Sequence, residues 1–238
     1  MQKEFQLDPR GGHNRYKCNF DFFKRWTNEM AYVLGFLYAD GCIVNAVSSR
    51  TQYIQFNSKD KEILEAIRKI IKSEHPLHIR PAHLVIHKNA VYKSTKTFIL
   101  RIGSRKMFND LQHFGLTPNK SKVVTFPFVP SRYLNHFVRG YFDGDGCVSL
   151  CKTKGVVKKL SVIFTSGSFT FLQELSRVLK TQLALLHDRI YKSKGAFQLR
   201  YSTSDSFKIF KFLYELDPQR LYLKRKFDIF KNYFKLYP

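Results

Sequence analysis

The decapeptide GFLYADGCIV (residues 35–44) recurs as GYFDGDGCVS (residues 140–149), an offset of 105 residues. No other feature constrains the fold as much, because a repeat of this kind means two copies of one structural unit. Further matches keep the same order: FILRI (98–102) with FQLRY (197–201), and LTP (116–118) with LDP (216–218). The chain therefore divides into an N-terminal basic and aromatic extension (1–27), a first copy (28–124), the proline-bearing linker TFPFVPSRY (125–133) and a second copy (134–238).

Each copy reads as α-β-β-α-β-β-α. The repeated phrase ends a helix (28–39 and 132–144), and two strands follow (41–47 with 51–57; 146–151 with 159–165). The next segment is amphipathic, with Ile63, Leu64, Ile67, Ile70 and Ile71 on one side and Phe171, Leu172, Leu175, Val178 and Leu179 in its counterpart. In FILRIG and FQLRYS, apolar and polar residues alternate as in a half-buried strand, and a closing helix ends each copy near Gly115 and Glu215. The expected fold is α+β: two pseudo-symmetric halves, each with a four-stranded antiparallel sheet covered by helices on one face only. The bare faces would carry Arg50, Tyr53, Gln55 and Arg101 in one half and Lys159, Ser161, Gln198 and Arg200 in the other. Cations, amides and guanidinium groups at period two suit phosphates and base edges, and two such faces side by side make a long groove or saddle.

Charge agrees with that reading. There are 41 Lys and Arg against 18 Asp and Glu, a formal net charge of +23, which points to a polyanionic partner. Hydrophobic residues at 44% of the chain are ample for a core, so wholesale disorder is excluded. The chain has no apolar run long enough for a membrane helix and no signal-peptide pattern, so a soluble, intracellular protein is expected, in a bacterial cytoplasm or an organelle. The four cysteines (Cys18, Cys42, Cys147, Cys151) contain no CxxC pair and read as free thiols.

Against this basic background the repeated acids stand out. Gly35 and Ala39, and likewise Gly140 and Gly144, lie four apart on one helix face, leaving strips with almost no side chain through which the two helices can touch. Each helix then ends at Asp-Gly, where the glycine can take the left-handed conformation that terminates helices. Carboxylates are unfavourable at that end of the macrodipole, so something positive must compensate. Asp40 and Asp145, brought together with nearby carbonyl oxygens, form a hard-oxygen site suited to Mg²⁺. Beside a phosphate backbone such a site permits metal-assisted phosphodiester hydrolysis.

VLGFLYADG (33–41) and VRGYFDGDG (138–146) resemble the two LAGLIDADG motifs of a single-chain homing endonuclease, and the resemblance covers about residues 28 to 235. It implies a monomeric, intron-encoded enzyme that cuts double-stranded DNA at a long pseudo-palindromic site, one phosphodiester in each strand. It implies Mg²⁺ as cofactor, with Mn²⁺ as a substitute and Ca²⁺ as a non-catalytic one. Asp40 and Asp145 fall on the motif's metal-binding position, and Ala39 and Gly144 would add backbone carbonyls. The sixth motif position is Tyr38 in one copy and Asp143 in the other, so Asp143 takes a structural role. The family's basic residue near the end of each half selects Lys120 in TPNKSK and Lys224 in LYLKRK, over Arg220. Its water-organising polar residue at the end of the second strand selects Ser58 and Ser166, with Gln55. The same scaffold admits an alternative, an RNA maturase that binds its host intron. In the extension, Phe22, Phe23 and Trp26 are expected to pack on the first motif helix, and Arg15 and Lys17 to meet DNA.

Overall fold

The first motif helix is apolar on every side, and a helix of that kind must be enclosed. In the computed structural model, which describes residues 16–46, 51–87, 90–186, 189–215 and 221–236, helix α1 (Asn28–Asp40) is buried continuously from Met30 to Tyr38. Thr27 starts it, its hydroxyl accepting from the Met30 amide at 3.1 Å. The chain then runs through β1 (Gly41–Ala46), β2 (Thr51–Ser58), α2 (Lys61–Ile70), β3 (Leu77–Arg80), β4 (Leu84–His87), β5 (Ala90–Lys93), β6 (Thr97–Gly103) and α3 (Arg105–His113). The second half repeats the plan with α4 (Leu134–Asp145), β7 (Gly146–Thr153), β8 (Val156–Ser166), α5 (Phe169–Leu183), β9 (Arg189–Ser193), β10 (Ala196–Tyr201) and α6 (Thr203–Tyr214), and adds α7 (Lys224–Leu236).

The two antiparallel sheets have the same strand order, β1-β2-β6-β3 and β7-β8-β10-β9. Their registers superimpose as well. Gly41 lies opposite Phe56 and Gly146 opposite Phe164; Phe56 then faces Leu100, and Phe164 faces Leu199. One side of each sheet packs on the helices through Ile43, Ile54, Phe56, Leu100 and Ile102, or through Leu160, Val162, Phe164 and Leu199. These residues share one apolar cluster with α1 and α4, so the core runs unbroken from half to half.

Three features depart from the sequence reading. A two-stranded hairpin, β4 with β5, is added to the first half, and α7 to the second. The hairpin of β7 and β8 is longer than expected, turning at Lys154 and Gly155 (φ 48° and 79°), positive values that a two-residue hairpin loop requires. Lastly, Gly41 and Gly146 are not left-handed: their φ values are −108° and −88°, because each helix passes directly into a strand. Glycine is needed there for space. A methyl group on Gly41 would lie 2.7 Å from Leu37 Cα, and one on Gly146 2.4 Å from the Phe142 carbonyl oxygen. The four cysteines are free, and no helix among the described residues is long and apolar enough to cross a membrane.

Candidate active site

The site is built from the contact of α1 with α4. A methyl group built on Gly35 would sit 2.0 Å from the Phe137 carbonyl oxygen, and one on Gly140 would sit 2.0 Å from the Tyr32 carbonyl oxygen. Gly140 lies 105 residues beyond Gly35 and Phe137 lies 105 beyond Tyr32, so each contact is the other with the two helices exchanged, a local two-fold. At the helix tips, a methyl on Gly144 would meet Ala39 Cβ at 2.3 Å and lie 3.5 Å from Asp40 Cβ. The predicted interface residues Gly35, Ala39, Gly140 and Gly144 thus face one another, and Asp40 and Asp145 emerge side by side.

Crowding shows in their acidity. Burial raises the Asp145 carboxyl to about 6, with the charge of Asp40 adding to the effect and those of Lys120 and Lys226 opposing it. Asp40 opens more to solvent, yet burial raises its carboxyl too, against Lys226, Lys120 and Arg225.

The positive charge required at the helix ends is supplied by two buried lysines. Lys120 Nζ donates to the carbonyls of Tyr38 (2.8 Å) and Ala39 (3.2 Å). In the other half the residue in this position is Lys226, whose Nζ donates to Phe142 (2.6 Å), Asp143 (2.7 Å), Gly144 (3.3 Å) and Gly146 (2.6 Å). Lys224, expected from the sequence, is instead an exposed residue at the start of α7 that pairs with Asp228 one turn on, at 2.5 Å. Burial lowers the Lys226 ammonium to about 8 and lowers Lys120 as well. Arg220 lies outside the described residues.

Asp143 is fully buried and turned away from Asp145's tip. Its Oδ2 accepts from the Tyr32 hydroxyl (2.6 Å) and the Leu223 amide (2.9 Å), consistent with a structural part. Tyr38, at the same motif position in α1, donates its hydroxyl to the Phe114 carbonyl.

On the outer face of the first sheet, Tyr53, Gln55 and Arg101 share one side with Asn57. Gln55 Oε1 accepts from Arg101 Nε (3.0 Å) and Nη2 (2.8 Å), and Gln55 Nε2 donates to Asn57 Oδ1 (3.0 Å). On the second sheet, Lys159, Ser161, Gln198 and Arg200 likewise share the outer side. Arg50 lies outside the described residues.

The two serines chosen as water organisers face the other way. Ser58 and Ser166 are even-numbered in strands whose odd-numbered residues face outward, and both are buried. Their hydroxyls accept from the amides of Asp60 (3.1 Å) and Ser168 (3.1 Å) in the turns leading into α2 and α5, which explains their presence. Ser168 caps α5 through the Phe171 amide at 3.3 Å.

Sequence reasoning missed Lys226, Asn57 and Arg225, which grips Asp60 of the other half at 3.0 and 3.1 Å. The extension's aromatics are packed, with Phe23 in the core, but the partners seen for Trp26 are not on the first motif helix: it stacks on Tyr133 at 5.8 Å and meets Phe114 edge-on at 5.4 Å. Lys17 is tied through its backbone to Glu74, and Arg15 lies outside the described residues.

Residues 132–213 match the family model described as a LAGLIDADG-like domain. Over 86–89% of its length the chain is similar in fold to a solved homing endonuclease and to solved LAGLIDADG meganucleases. The homing endonuclease I-WcaI bound to its DNA recognition sequence is 17% identical, with a TM-score of 0.56 over 87% of this chain and 90% of that one. LAGLIDADG meganuclease I-CpaMI bound to uncleaved DNA is 14% identical, with a TM-score of 0.54 over 89% and 91%. LAGLIDADG meganuclease I-AabMI, also bound to uncleaved DNA, is 15% identical, with a TM-score of 0.51 over 86% and 88%. No curated protein matches the chain.

Proposed function

We propose that this chain, which has the LAGLIDADG fold in both halves, is a site-specific endonuclease that hydrolyses one phosphodiester in each strand of a long, nearly palindromic DNA duplex. The observation that carries the reading is the meeting of Asp40 and Asp145 at the tips of two helices in backbone contact, one acid from each half. The charge of +23 and two outward polar sheet faces supply the binding surface.

The donor set fits a hard divalent cation. Two carboxylates whose ionised forms are disfavoured by burial, and in Asp145 by its neighbour's charge, gain most from a cation between them. Asp40 and Asp145 would hold Mg²⁺ or Mn²⁺ together with the carbonyl oxygens of Ala39 and Gly144. Each carbonyl accepts one long hydrogen bond from a lysine and keeps a second lone pair. The ion supplies a lowered pKa for water and charge balance for the attacking and leaving oxygens. Lys120 and Lys226 fix the helix ends that present the acids and keep positive charge at the site. The sheet faces orient the duplex so that each half addresses one strand.

The test is substitution of each acid. Asp40→Asn and Asp145→Asn are expected to abolish double-strand cleavage with DNA binding and thermal unfolding retained, since each acid sits at a helix tip rather than in the core. Joint loss of binding and folding in both variants would mean that the acids hold the fold instead.

A further inference from the structure

We propose that Arg101 and Arg200 each read one guanine, at matched positions in the two halves of the target; this rests on the endonuclease reading above and names its specificity. The two arginines are structurally equivalent, each following the leucine (Leu100, Leu199) that faces the phenylalanine opposite a motif glycine. Both are exposed on the outer face.

Both are also held in the same way. Arg101 donates Nε and Nη2 to Gln55 Oε1 and lies 4.6 Å above the Tyr53 ring. Arg200 donates Nε (3.1 Å) and Nη2 (2.5 Å) to Gln198 Oε1 and lies 5.4 Å above the Tyr191 ring. The holders, however, come from different places. Gln55 is on the neighbouring strand, where the second half has Ile163 facing Arg200; Gln198 is on the arginine's own strand, where the first half has Ile99. The rings differ too: Tyr53 belongs to β2, and Tyr191 to the edge strand β9. The halves disagree at every holder and agree on the held guanidinium, which a generic polar surface would not produce.

The way each group is held selects its ligand. With the Nε–Nη2 edge engaged, each exposed guanidinium still offers two N–H groups on Nη1 and one on Nη2, a fork free to meet a ligand. In the major groove guanine alone presents two acceptors, O6 and N7, to such a fork. Adenine interposes an amino donor, cytosine offers a donor, and thymine has one acceptor beside a methyl group. Gln55, with its amide nitrogen engaged by Asn57, acts as the support and not as a reader. Because the fork is ordered beforehand, less conformational entropy is lost on binding. A backbone phosphate is the other ligand that this fork accepts, and it would carry no sequence preference.

The experiment is selection of bound duplexes from a randomised pool by the full chain in Ca²⁺, followed by binding titrations. Two guanines are expected on opposite strands, equidistant from the target's centre. Arg101→Ala should remove the preference for one of them, weakening binding to the selected target by about tenfold to a hundredfold. It should change binding little once that guanine is replaced. Arg200→Ala should do the same for the other guanine, and Gln55→Leu should blunt selectivity at Arg101's position alone. A preferred sequence without the paired guanines, or variants that weaken binding to every sequence equally, would overturn the proposal and leave the endonuclease reading standing. A pool that yields no preferred sequence would overturn both.

Discussion

Consider placing a methyl group at Gly35. Its carbon would start 2.0 Å from the Phe137 carbonyl oxygen, and such contacts need at least 3.0 Å, so α1 and α4 must separate locally by an ångström or more. The obstacle is backbone on a buried helix, which cannot rotate aside as a side chain would. Overpacking of this kind costs about 1–3 kcal/mol, and the obstacle puts Gly35→Ala at the upper end. Alanine's better helix propensity returns about 1 kcal/mol, for a net loss of about 2 kcal/mol. Gly140→Ala, which would meet the Tyr32 carbonyl at the same 2.0 Å, should cost the same. The double variant is the sharper measurement. Once the helices have parted for one methyl, the second finds room, so the pair should cost less than the sum by 0.5 kcal/mol or more. Urea unfolding of the four proteins measures all of this. A neutral or stabilising Gly35→Ala, or strictly additive costs, would show that the helices do not meet backbone to backbone, and the shared acid site would lose its basis.

Two further predictions follow from the lysines and the buried acid. Lys226→Met should remove the donor to four carbonyls, destabilise the protein by on the order of 3 kcal/mol and abolish cleavage, whereas Lys224→Met should leave both stability and cleavage unchanged; the reverse pattern in unfolding and nicking assays would refute the assignment. Burial holds the Asp143 carboxyl at about 6, above its unfolded value near 3.9, so the folded state binds the extra proton between these limits. Stability should therefore fall as pH rises from about 4 to 6 and level off above. Asp143→Asn should flatten part of that slope, the raised carboxyls of Asp145 and Asp40 contributing in the same direction, and an unchanged slope in denaturation curves across this range would sink the argument.

How much of this was legible depended on whether the signal was local. The glycine strip, the acids and the period-two strands were readable because helix and strand spacing decide them within ten residues. Ser58 and Ser166 could have been rejected on the same ground: if Tyr53 and Gln55 face outward, an even-numbered residue in that strand faces in. Lys226 was harder to see. Lys120 follows the end of α3 at His113 by seven residues, and Lys226 follows the end of α6 at Tyr214 by twelve, so a count carried over from the first copy misses it. Helix α7 did leave a trace, with buried Lys226, Phe230 and Tyr233 at intervals of four and three.

The odd residue of the repeat, Tyr38 in one copy and Asp143 in the other, follows from the same need. A buried lysine must be carried back to each motif helix by a connecting segment, and that segment has no regular ladder of its own to place it. In the first half the Tyr38 hydroxyl holds the Phe114 carbonyl, six residues before Lys120. In the second half Asp143 holds the Leu223 amide, three residues before Lys226, and Arg139, one turn earlier on α4, donates to the carbonyls of Leu213 (2.7 Å) and Leu221 (2.9 Å). A hydroxyl donor meets a carbonyl in one copy, and a carboxylate acceptor meets an amide in the other. The motif position therefore anchors the segment that delivers the lysine, with chemistry chosen by whichever backbone group arrives there. That is why a second aspartate so close to Asp145 is spent on the connecting segment, leaving Asp145 alone at the helix tip.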